Sequence, residues 1–461
     1  LVMPALCLLL LGRRSMPARA ASGSAAALLV GLVLVAAVAP PSARADDIDT
    51  VDFNTAALAG ANELEVDALA ARTRAARAGA SAAYRDALAP KLSVRARASR
   101  SDATGSISVP GPMGQQRFET TAREQSEAIV EIRQPLLRLA DQLYGAPAQA
   151  ESARASLART ESLKLANALR AAGTYLEALR LQARLDANAR LRDSLSARAQ
   201  RVGAQVEAGR ALETDRLDID LALQEARREQ IQLTTGYRVA TTRLARAMGR
   251  DGRVAPAPLD YTPPAVNADP ATLLAEAIEA RRDLDAIEHD LDAARLQTRA
   301  ATSRWLPEID AVASQTWRSG NAFFPDDEGR IGAELTWTPF AGGVIAARRD
   351  QAEAQRQALA ADRRAFMLEI RVQIEEQLAA IDSALALADL AETGLSSARS
   401  RLKLRDARFR AGRATADDVV EAEAELARQQ ARRAIARYDH LEAWIGLQGA
   451  LARSGWVTEL P

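Results

Sequence analysis

The stretch Glu207-Ala-Gly209-Arg-Ala-Leu-Glu-Thr-Asp215-Arg decides the architecture of this chain, because a matching stretch occurs about 203 residues later. That second stretch reads Arg410-Ala-Gly412-Arg-Ala-Thr-Ala-Asp-Asp418-Val. Glycine readily adopts the left-handed conformation that ends many helices. An internal repeat on this scale indicates two copies of one structural unit. We therefore expect two long antiparallel helical hairpins, which turn at Gly209 and Gly412.

The distribution of proline sets the length of these hairpins. No proline occurs in residues 148–255 or 340–460. Because proline interrupts helices, these windows predict helices over 147–208 and 344–411, each followed by a shorter return helix. At 1.5 Å per residue the two long helices span roughly 93 and 100 Å. Helices of this length do not fit a compact domain and instead indicate an elongated helical tube.

The windows that contain proline carry short alternating patterns of apolar and polar residues, which are typical of strands. We predict strands over 91–98, 118–134, 307–317 and 330–338, connecting loops over 102–117 and 319–329, and helices over 51–89 and 270–306 before the strand pairs. The last strand is the clearest, since Ile331, Ala333, Leu335 and Trp337 fall on one face.

About four amphipathic strands in one chain predict a barrel that is shared between chains. If the apolar side of such strands faces lipid, the sheet must close on itself, and membrane barrels need at least about eight strands. We expect Leu335, Trp337 and Trp317 to face lipid or to form an aromatic girdle. The aromatic residues near the second strand pair are Trp305, Trp317, Phe323, Phe324, Trp337 and Phe340. An ordinary hydrophobic patch remains the alternative for them.

The N-terminal segment has the features of a signal peptide. Residues 25–39 form an apolar run too short to span a bilayer, and Ala43-Arg44-Ala45 has the small-x-small pattern that precedes cleavage. The alternative is an apolar helix of the mature protein. The resulting division is a signal peptide over 1–45, a first repeat over 46–255, a linker over 256–269, a second repeat over 270–455 and a short C-terminal tail over 456–461.

Composition argues against nucleic-acid binding and against catalysis. Lys plus Arg and Asp plus Glu each number 60, so the net charge is zero and gives no attraction for nucleic acid. The chain has two histidines and one cysteine, Cys7, and no convergent nucleophile and base. We therefore expect no enzyme activity and no cofactor. Asp285, Glu288, His289 and Asp292 share one helical face and could ligate a metal, but we favour a solvated helix face.

Three motifs make the chain resemble the TolC family of outer-membrane efflux proteins over nearly all of its predicted mature length. The segment from Arg282 to Ala294, which begins Arg-Asp-Leu-Asp-Ala, is similar to the family's helix before a strand pair. Trp337-Thr-Pro339-Phe340-Ala-Gly342-Gly343 is similar to its strand-to-helix signature, with Gln134-Pro135-Leu136 as a weaker first copy. The segment from Phe409 to Ala422 resembles its periplasmic turn.

This resemblance implies a fold and a function. The fold is mainly α with a β-barrel part: long antiparallel helical hairpins form a periplasmic α-barrel, four strands per chain join a shared outer-membrane barrel, and the chain has an internal two-fold repeat. Family members are trimers with twelve strands and twelve tunnel helices, and they export drugs, metals or proteins. The expected partners are two further copies of the chain, outer-membrane lipid, a periplasmic adaptor and an inner-membrane pump. The expected role is a passive exit duct in the outer membrane that extends into the periplasm.

A second hypothesis from the residues is a periplasmic coiled-coil adaptor or structural rod. An adaptor carries a lipoyl-like β-domain and one hairpin, whereas this sequence predicts two hairpins with alternating strand pairs. The strands therefore favour the duct.

The two turns provide the candidate site. Asp215 and Asp418 each follow a turn glycine by six residues, and Glu421 lies one helical turn after Asp418. These acids can cap their helices, or their copies can form cation-selective rings around a pore axis. The resemblance places such acids at the narrow periplasmic entrance, but it puts Ala414 where some members have a latch arginine. The predicted adaptor-docking residues are Val206, Gly209, Arg210, Phe409, Gly412 and Arg413.

Overall fold

The computed structural model describes residues 49–62, 64–111, 114–266, 268–321 and 324–459. The predicted signal peptide over 1–45 and the aromatic residue Phe323 lie outside these described residues. Within them, no helix is both long and apolar enough to cross a membrane.

The described elements alternate between helices and strands along the chain. In order they are β1 (Asp49–Val51), α1 (Phe53–Ala61), α2 (Leu64–Leu88), β2 (Lys91–Arg100), β3 (Gly105–Gly111), β4 (Gly114–Leu137), a π-helical turn (Ala140–Gly145), α3 (Ala146–Glu207), α4 (Glu213–Ala247), β5 (Val254–Pro256), α5 (Pro270–Ala280), α6 (Arg282–Ser303), β6 (Glu308–Asn321), β7 (Asp327–Thr336), α7 (Val344–Arg410), α8 (Ala416–Ala450) and α9 (Trp456–Glu459).

The two predicted long helices are confirmed. α3 has 62 residues and α7 has 67, which at 1.5 Å per residue gives each a length of roughly 93–100 Å. α4 returns along α3 and α8 returns along α7, with 35 residues each. The proline-free windows therefore set the helix lengths, as the sequence indicated.

The main sheet is antiparallel in the order β2-β4-β6-β7, and β3 pairs with the distal part of β4. All four predicted strands are present, but the predicted loop over 102–117 is wrong. Its residues form β3 and the start of β4, which is 24 residues long. Ile107 and Val109 alternate there with serines, and Pro110 is tolerated because β3 pairs on one side only. The loop predicted over 319–329 is shorter than expected, since β6 reaches Asn321 and β7 begins at Asp327.

Two predicted helices are each broken into two. The first, over 51–89, is preceded by β1, and Asp52 caps α1 by accepting a 2.6 Å hydrogen bond from the Thr55 amide. The second, over 270–306, breaks at Arg281, whose backbone is extended. The buried Arg281 guanidinium donates to Asp283, to Gln373 and to the Ala450 carbonyl. The extended backbone at Arg281 interrupts the helix and allows its side chain to reach these partners.

The largest core lies where α1, α3, the end of α8 and α9 meet. Phe53, Tyr175, Trp444 and Trp456 are buried there, and the Phe53 and Tyr175 rings meet edge to face at 5.3 Å. The Tyr175 hydroxyl donates to the Ala257 carbonyl at 2.7 Å, beside the parallel pair β1–β5. Burial raises the pKa of Tyr175. In this core the ends of the return helices α4 and α8 pack against the middle of α3.

Candidate functional site: a two-faced sheet and two glycine turns

One face of the main sheet is apolar and uncovered. The register places apolar side chains of all four strands on this face: Leu92, Val94, Ala96, Val130, Ile132, Ile309, Ala311, Ala313, Ile331, Ala333 and Leu335. Val94 is 68% exposed and Ile331 is 73% exposed. A continuous apolar surface of this extent marks contact with a membrane or another protein. Leu335 and Trp317 also lie on this face, and their contact with lipid stays a prediction.

The opposite face of the same sheet carries paired charges. Arg133 of β4 contacts Glu334 of β7 at 2.7 Å and Asp310 of β6 at 3.3 Å. Arg318 contacts Glu127 and Glu328, each at 2.9 Å. Ion pairs across three neighbouring strands need a polar surrounding, since lipid would not solvate their exposed oxygens. The sheet is thus built to separate an aqueous side from an apolar side.

Exposed aromatic residues lie at both ends of the apolar face. Trp317 is near the far end of β6, beside the start of β7, and Phe324 lies in the connection between these strands. Trp305 and Trp337 lie at the opposite end, where the Trp337 Nε1 donates to the Trp305 carbonyl at 3.0 Å. Aromatic girdles at both boundaries of the apolar band are typical of outer-membrane barrels. The sequence grouped these residues as one cluster, and only the strand order separates them.

The two helical turns have the same backbone structure. Gly209 and Gly412 have φ values of 69° and 65°, in the left-handed region that favours glycine. The Arg210 amide donates to the Gln205 carbonyl at 2.7 Å, and the Arg413 amide donates to the Arg408 carbonyl at 2.9 Å. Both turns are therefore Schellman motifs, as the two glycines predicted.

The six predicted docking residues divide into two groups. Val206 and Phe409 are half-buried and pack against an apolar cluster that includes Ile219 and Val420. The two glycines are exposed, as are Arg210 and Arg413. Neither of these arginines has an ion-pair partner among the described residues. Val206 and Phe409 thus brace the turns from inside, while the glycine backbones and the two arginines form their outer surface.

The three predicted entrance acids lie at the same end of the hairpins and have different contacts. Asp418 accepts hydrogen bonds from the Thr415 amide and hydroxyl, both at 3.0 Å, and pairs with Arg405 at 2.5 Å. The Thr415 hydrogen bonds hold the pKa of Asp418 below its ordinary value, with a smaller contribution from nearby arginines. Asp418 therefore takes part in capping the start of α8.

Asp215 does more than cap its own helix. One carboxylate oxygen accepts from the Leu212 amide at 3.3 Å, and the other accepts from the Ala416 amide of the second hairpin at 3.3 Å. Asp215 therefore connects the start of α4 to the start of α8. Glu421 is exposed and forms no ion pair within the described part of the chain.

A buried ion pair that the sequence reading missed joins the hairpins near the same end. Arg198 of α3 contacts Glu423 of α8 at 2.5 Å, and their side chains are 7% and 5% exposed. Arg198 also approaches Asp406 of α7 at 3.4 Å. A signal existed, because Glu423 continues the buried stripe of Ala416 and Val420 at helical spacing.

The candidate metal-ligating face of α6 does not converge on one point. Asp285 pairs with Arg282, Glu288 with Arg363 and Asp292 with Arg295, while His289 contacts Glu151 at 2.8 Å. Across the described ranges, no three potential ligands are grouped closely enough to hold a metal ion. These contacts are those of a charged helix face.

Comparisons with known proteins agree with this geometry. Residues 273–453 match the sequence model of a family described as outer membrane efflux protein. No curated protein matches the chain by sequence.

Solved structures match over most of the chain at low identity. The outer membrane protein VceC of Vibrio cholerae has a TM-score of 0.72 at 16% identity, covering 87% of this chain and 96% of that one. The CmeC outer membrane channel of Campylobacter jejuni has a TM-score of 0.74 at 13% identity, covering 88% of each chain. The open state of the MtrE outer membrane channel of Neisseria gonorrhoeae has a TM-score of 0.70 at 17% identity, covering 87% of this chain and 88% of that one. The chain thus has the fold of these outer-membrane channels, and its segment 273–453 matches the sequence model of outer membrane efflux proteins.

Proposed function

We propose that this chain is the outer-membrane channel of a tripartite efflux or type I secretion system in a Gram-negative cell. It acts as a passive exit duct for cargo that a pump delivers. The observation that carries this proposal is the main sheet, with an exposed apolar face, a charged face and aromatic residues at both ends. Long charged hairpins extend from the same unit and are suited to an aqueous tunnel across the periplasm.

The channel is a homotrimer in this proposal. Each chain supplies four main strands, which are too few for a membrane barrel. Three copies supply twelve, and the open edges β2 and β7 allow the copies to join. Export with removal of residues 1–45 completes the assembly pathway that we propose.

The two glycine turns are the proposed contact with a periplasmic adaptor, which in turn joins an inner-membrane pump. The turns share one backbone geometry, so a trimer presents six similar tips. Arg210 and Arg413 add exposed positive charge to them. An adaptor whose helical tips carry acidic or carbonyl acceptors would match this surface.

The entrance acids are the proposed determinants of ion selectivity. Asp215, Asp418 and Glu421 lie at the tip end of the hairpins, so three copies of each would surround a threefold axis. The capping contacts of Asp418 hold its pKa below the ordinary value and favour its ionised form, which is compatible with this role.

The adaptor or structural rod is not favoured as a second function. The structure contains two hairpins and a wide sheet with an exposed apolar face, whereas a water-filled periplasm gives no reason to leave such a face uncovered.

Assembly is the direct test of the proposed function. The full chain, expressed with its own N-terminus in a Gram-negative host, should fractionate with the outer membrane. After extraction in mild detergent, native mass measurement should give three copies of the chain. Only monomers in detergent, or protein found solely in the soluble periplasmic fraction, would contradict the channel.

A further inference from the structure

The open edges of the main sheet are β2 and β7. Neither has a second strand partner among the described residues, and unpaired edges are not tolerated in lipid. The two strands have 10 residues each, and they run in opposite directions because three antiparallel pairs link them. Resting on the proposed homotrimer, we propose that β7 pairs antiparallel with β2 of a second copy in one register, with Glu334 opposite Arg95 of the partner subunit.

Continuity of the apolar face limits the register. On β2 the apolar side chains have even numbers, such as Val94 and Ala96, whereas on β7 they have odd numbers, such as Ala333 and Leu335. A shift by one residue would turn one apolar row toward the polar side. Even-numbered residues of β2 must therefore oppose odd-numbered residues of β7, so allowed registers differ in steps of two.

Barrel closure limits the register further. Within one chain, Lys91 lies level with Gly332, through the paired residues Arg133 and Val312. Strands that tilt by about 40° and lie about 4.8 Å apart are staggered by roughly 16 Å over four strands, or about five residues. The steps of two leave shifts of about four or six residues. The shift must bring residues nearer the C-terminal end of β7 opposite a given residue of β2. A shift in the other direction would leave the two strands almost without overlap.

Charge decides between the two remaining registers. A shift of four residues would place Arg330 opposite Arg97 of the partner subunit, and like charges in that position are destabilising. A shift of six places Glu334 opposite Arg95 of the partner subunit and leaves Gly332 opposite the second arginine. Arg95 forms no ion pair within the described part of its own chain, and Glu334 is half-exposed beside Arg133. The structure thus leaves a free guanidinium on one edge and an accessible carboxylate on the other.

Disulfide cross-linking of the full-length trimer tests this register. Cys7 is the only cysteine, so Cys7→Ser gives a thiol-free background. Ala96→Cys with Ala333→Cys reports the shift of six, whereas Ala96→Cys with Ile331→Cys reports the shift of four. Cα atoms of directly opposite residues lie about 4.5–5.5 Å apart and can be bridged, while diagonal neighbours are about 7–8 Å apart and cannot.

We expect covalent trimers on a denaturing gel for the first cysteine pair and monomers for the second. The reverse result would overturn the proposed register. Native mass measurement of both variants in mild detergent separates the other outcomes. Trimers that cross-link with neither pair would also overturn the register, and monomers in detergent would refute the homotrimer itself.

Reversal of single charges provides an independent readout. Arg95→Glu should lower the temperature at which the trimer dissociates in dodecyl sulfate, because two carboxylates would then face each other. The control on the same strand and face is Arg97→Gln. Arg97 lies opposite Glu127 of its own chain, so neutralisation avoids two facing carboxylates, and it should lower that temperature less than Arg95→Glu does. Adding Glu334→Arg to Arg95→Glu should recover part of the loss. A loss from Arg97→Gln as large as that from Arg95→Glu, with no recovery in the double variant, would contradict the proposed ion pair.

Discussion

Single side chains at the glycine turns combine structural and electrostatic roles. Asp418 is the clearest case, since Thr415 and Arg405 hold its carboxylate in place. Because its pKa lies below the ordinary value of 3.8, its contribution to stability is present above that value. The contribution is lost only as the pH falls through the lowered folded-state pKa. Across the neutral range Asp418 therefore supplies a constant negative charge, and the proposed role of this residue in ion selectivity should not depend on pH there.

Neutralisation of the entrance acids tests that role at the residue scale. Asp215→Asn, Asp418→Asn and Glu421→Gln together should reduce cation selectivity and block by multivalent cations in planar bilayers, because charge in a narrow mouth is poorly screened. The tips should stay folded, since asparagine also caps helices well. The control variant, Asp350→Asn with Glu375→Gln and Asp389→Asn, removes three exposed acids of α7 and should have little effect. Unchanged reversal potentials in the first variant would refute the role in ion selectivity and leave Asp215 and Asp418 with their structural hydrogen bonds alone.

At the scale of elements, β7 shows how one strand serves two environments. Ala333 faces the apolar side between the aromatic ends of the sheet, whereas its neighbour Gly332 faces the charged side. Leu335 shares the apolar face but lies next to Trp337, close to one boundary. Substitutions at neighbouring residues of β7 can therefore distinguish the effect of depth in the membrane from the effect of the face of the sheet.

Charged substitutions along β7 should report both the depth in the membrane and the side of the sheet. Ala333→Arg should cost about 2–4 kcal/mol of folding stability in bilayers if it lies at the midplane, and Leu335→Arg about 0–1 kcal/mol near the boundary. Gly332→Glu should be mild, since open space surrounds this glycine, its φ suits any residue, and the added carboxylate would face Arg97 of the partner subunit in the proposed register. Denaturant-induced unfolding in lipid vesicles measures these differences. Equal costs for Ala333→Arg and Gly332→Glu would show that the assignment of lipid and lumen sides is wrong.

The elements also show what a sequence can and cannot predict. Long proline-free windows predicted α3 and α7 within one residue at each end, because an uninterrupted helix is a local property. β3 was missed, since Gly105 and Pro110 are typical of loops and only pairing with β4 makes them a strand. The break at Arg281 was missed for a similar reason, because its partners Gln373 and Ala450 are distant in sequence.

For the candidate site, the limits lie in contacts between hairpins. The glycines and capping acids were predictable, as each acts within its own turn. The hydrogen bond from Ala416 to Asp215 was not, because it joins residues 201 positions apart. The buried pairing of Arg198 with Glu423 could have been anticipated as a charge on an apolar stripe, but its partner could not.

At the scale of the whole molecule, the pair Arg198–Glu423 ties the two hairpins together. Arg198→Leu should destabilise the tip region by about 3–5 kcal/mol, because Glu423 would remain buried without a partner. Hydrogen exchange of the α8 amides measures this effect. The double variant Arg198→Leu with Glu423→Leu should be closer to the parent protein.

An exposed ion pair within the second hairpin, between α8 and α7, is the control for that prediction. Arg433 contacts Glu392 at 2.5 Å with both side chains about half exposed, so Arg433→Leu should cost only about 0–1 kcal/mol. If Arg198→Leu changed exchange in α8 no more than Arg433→Leu, the buried pair would not hold the hairpins together.

The distance along α3 from Tyr175 to the turn at Gly209 amplifies small movements of the core. The two residues are 34 positions apart, or about 51 Å at 1.5 Å per residue, so a rigid helix that pivots by about 5° at Tyr175 moves the turn by about 4 Å. A movement of this size is a large fraction of the diameter of a hydrated ion. Repacking by a fraction of a side chain around Phe53 and Tyr175 would therefore be multiplied into a change of aperture at the glycine turns. Substitutions far from the mouth, in this core, can thus set how wide the mouth opens.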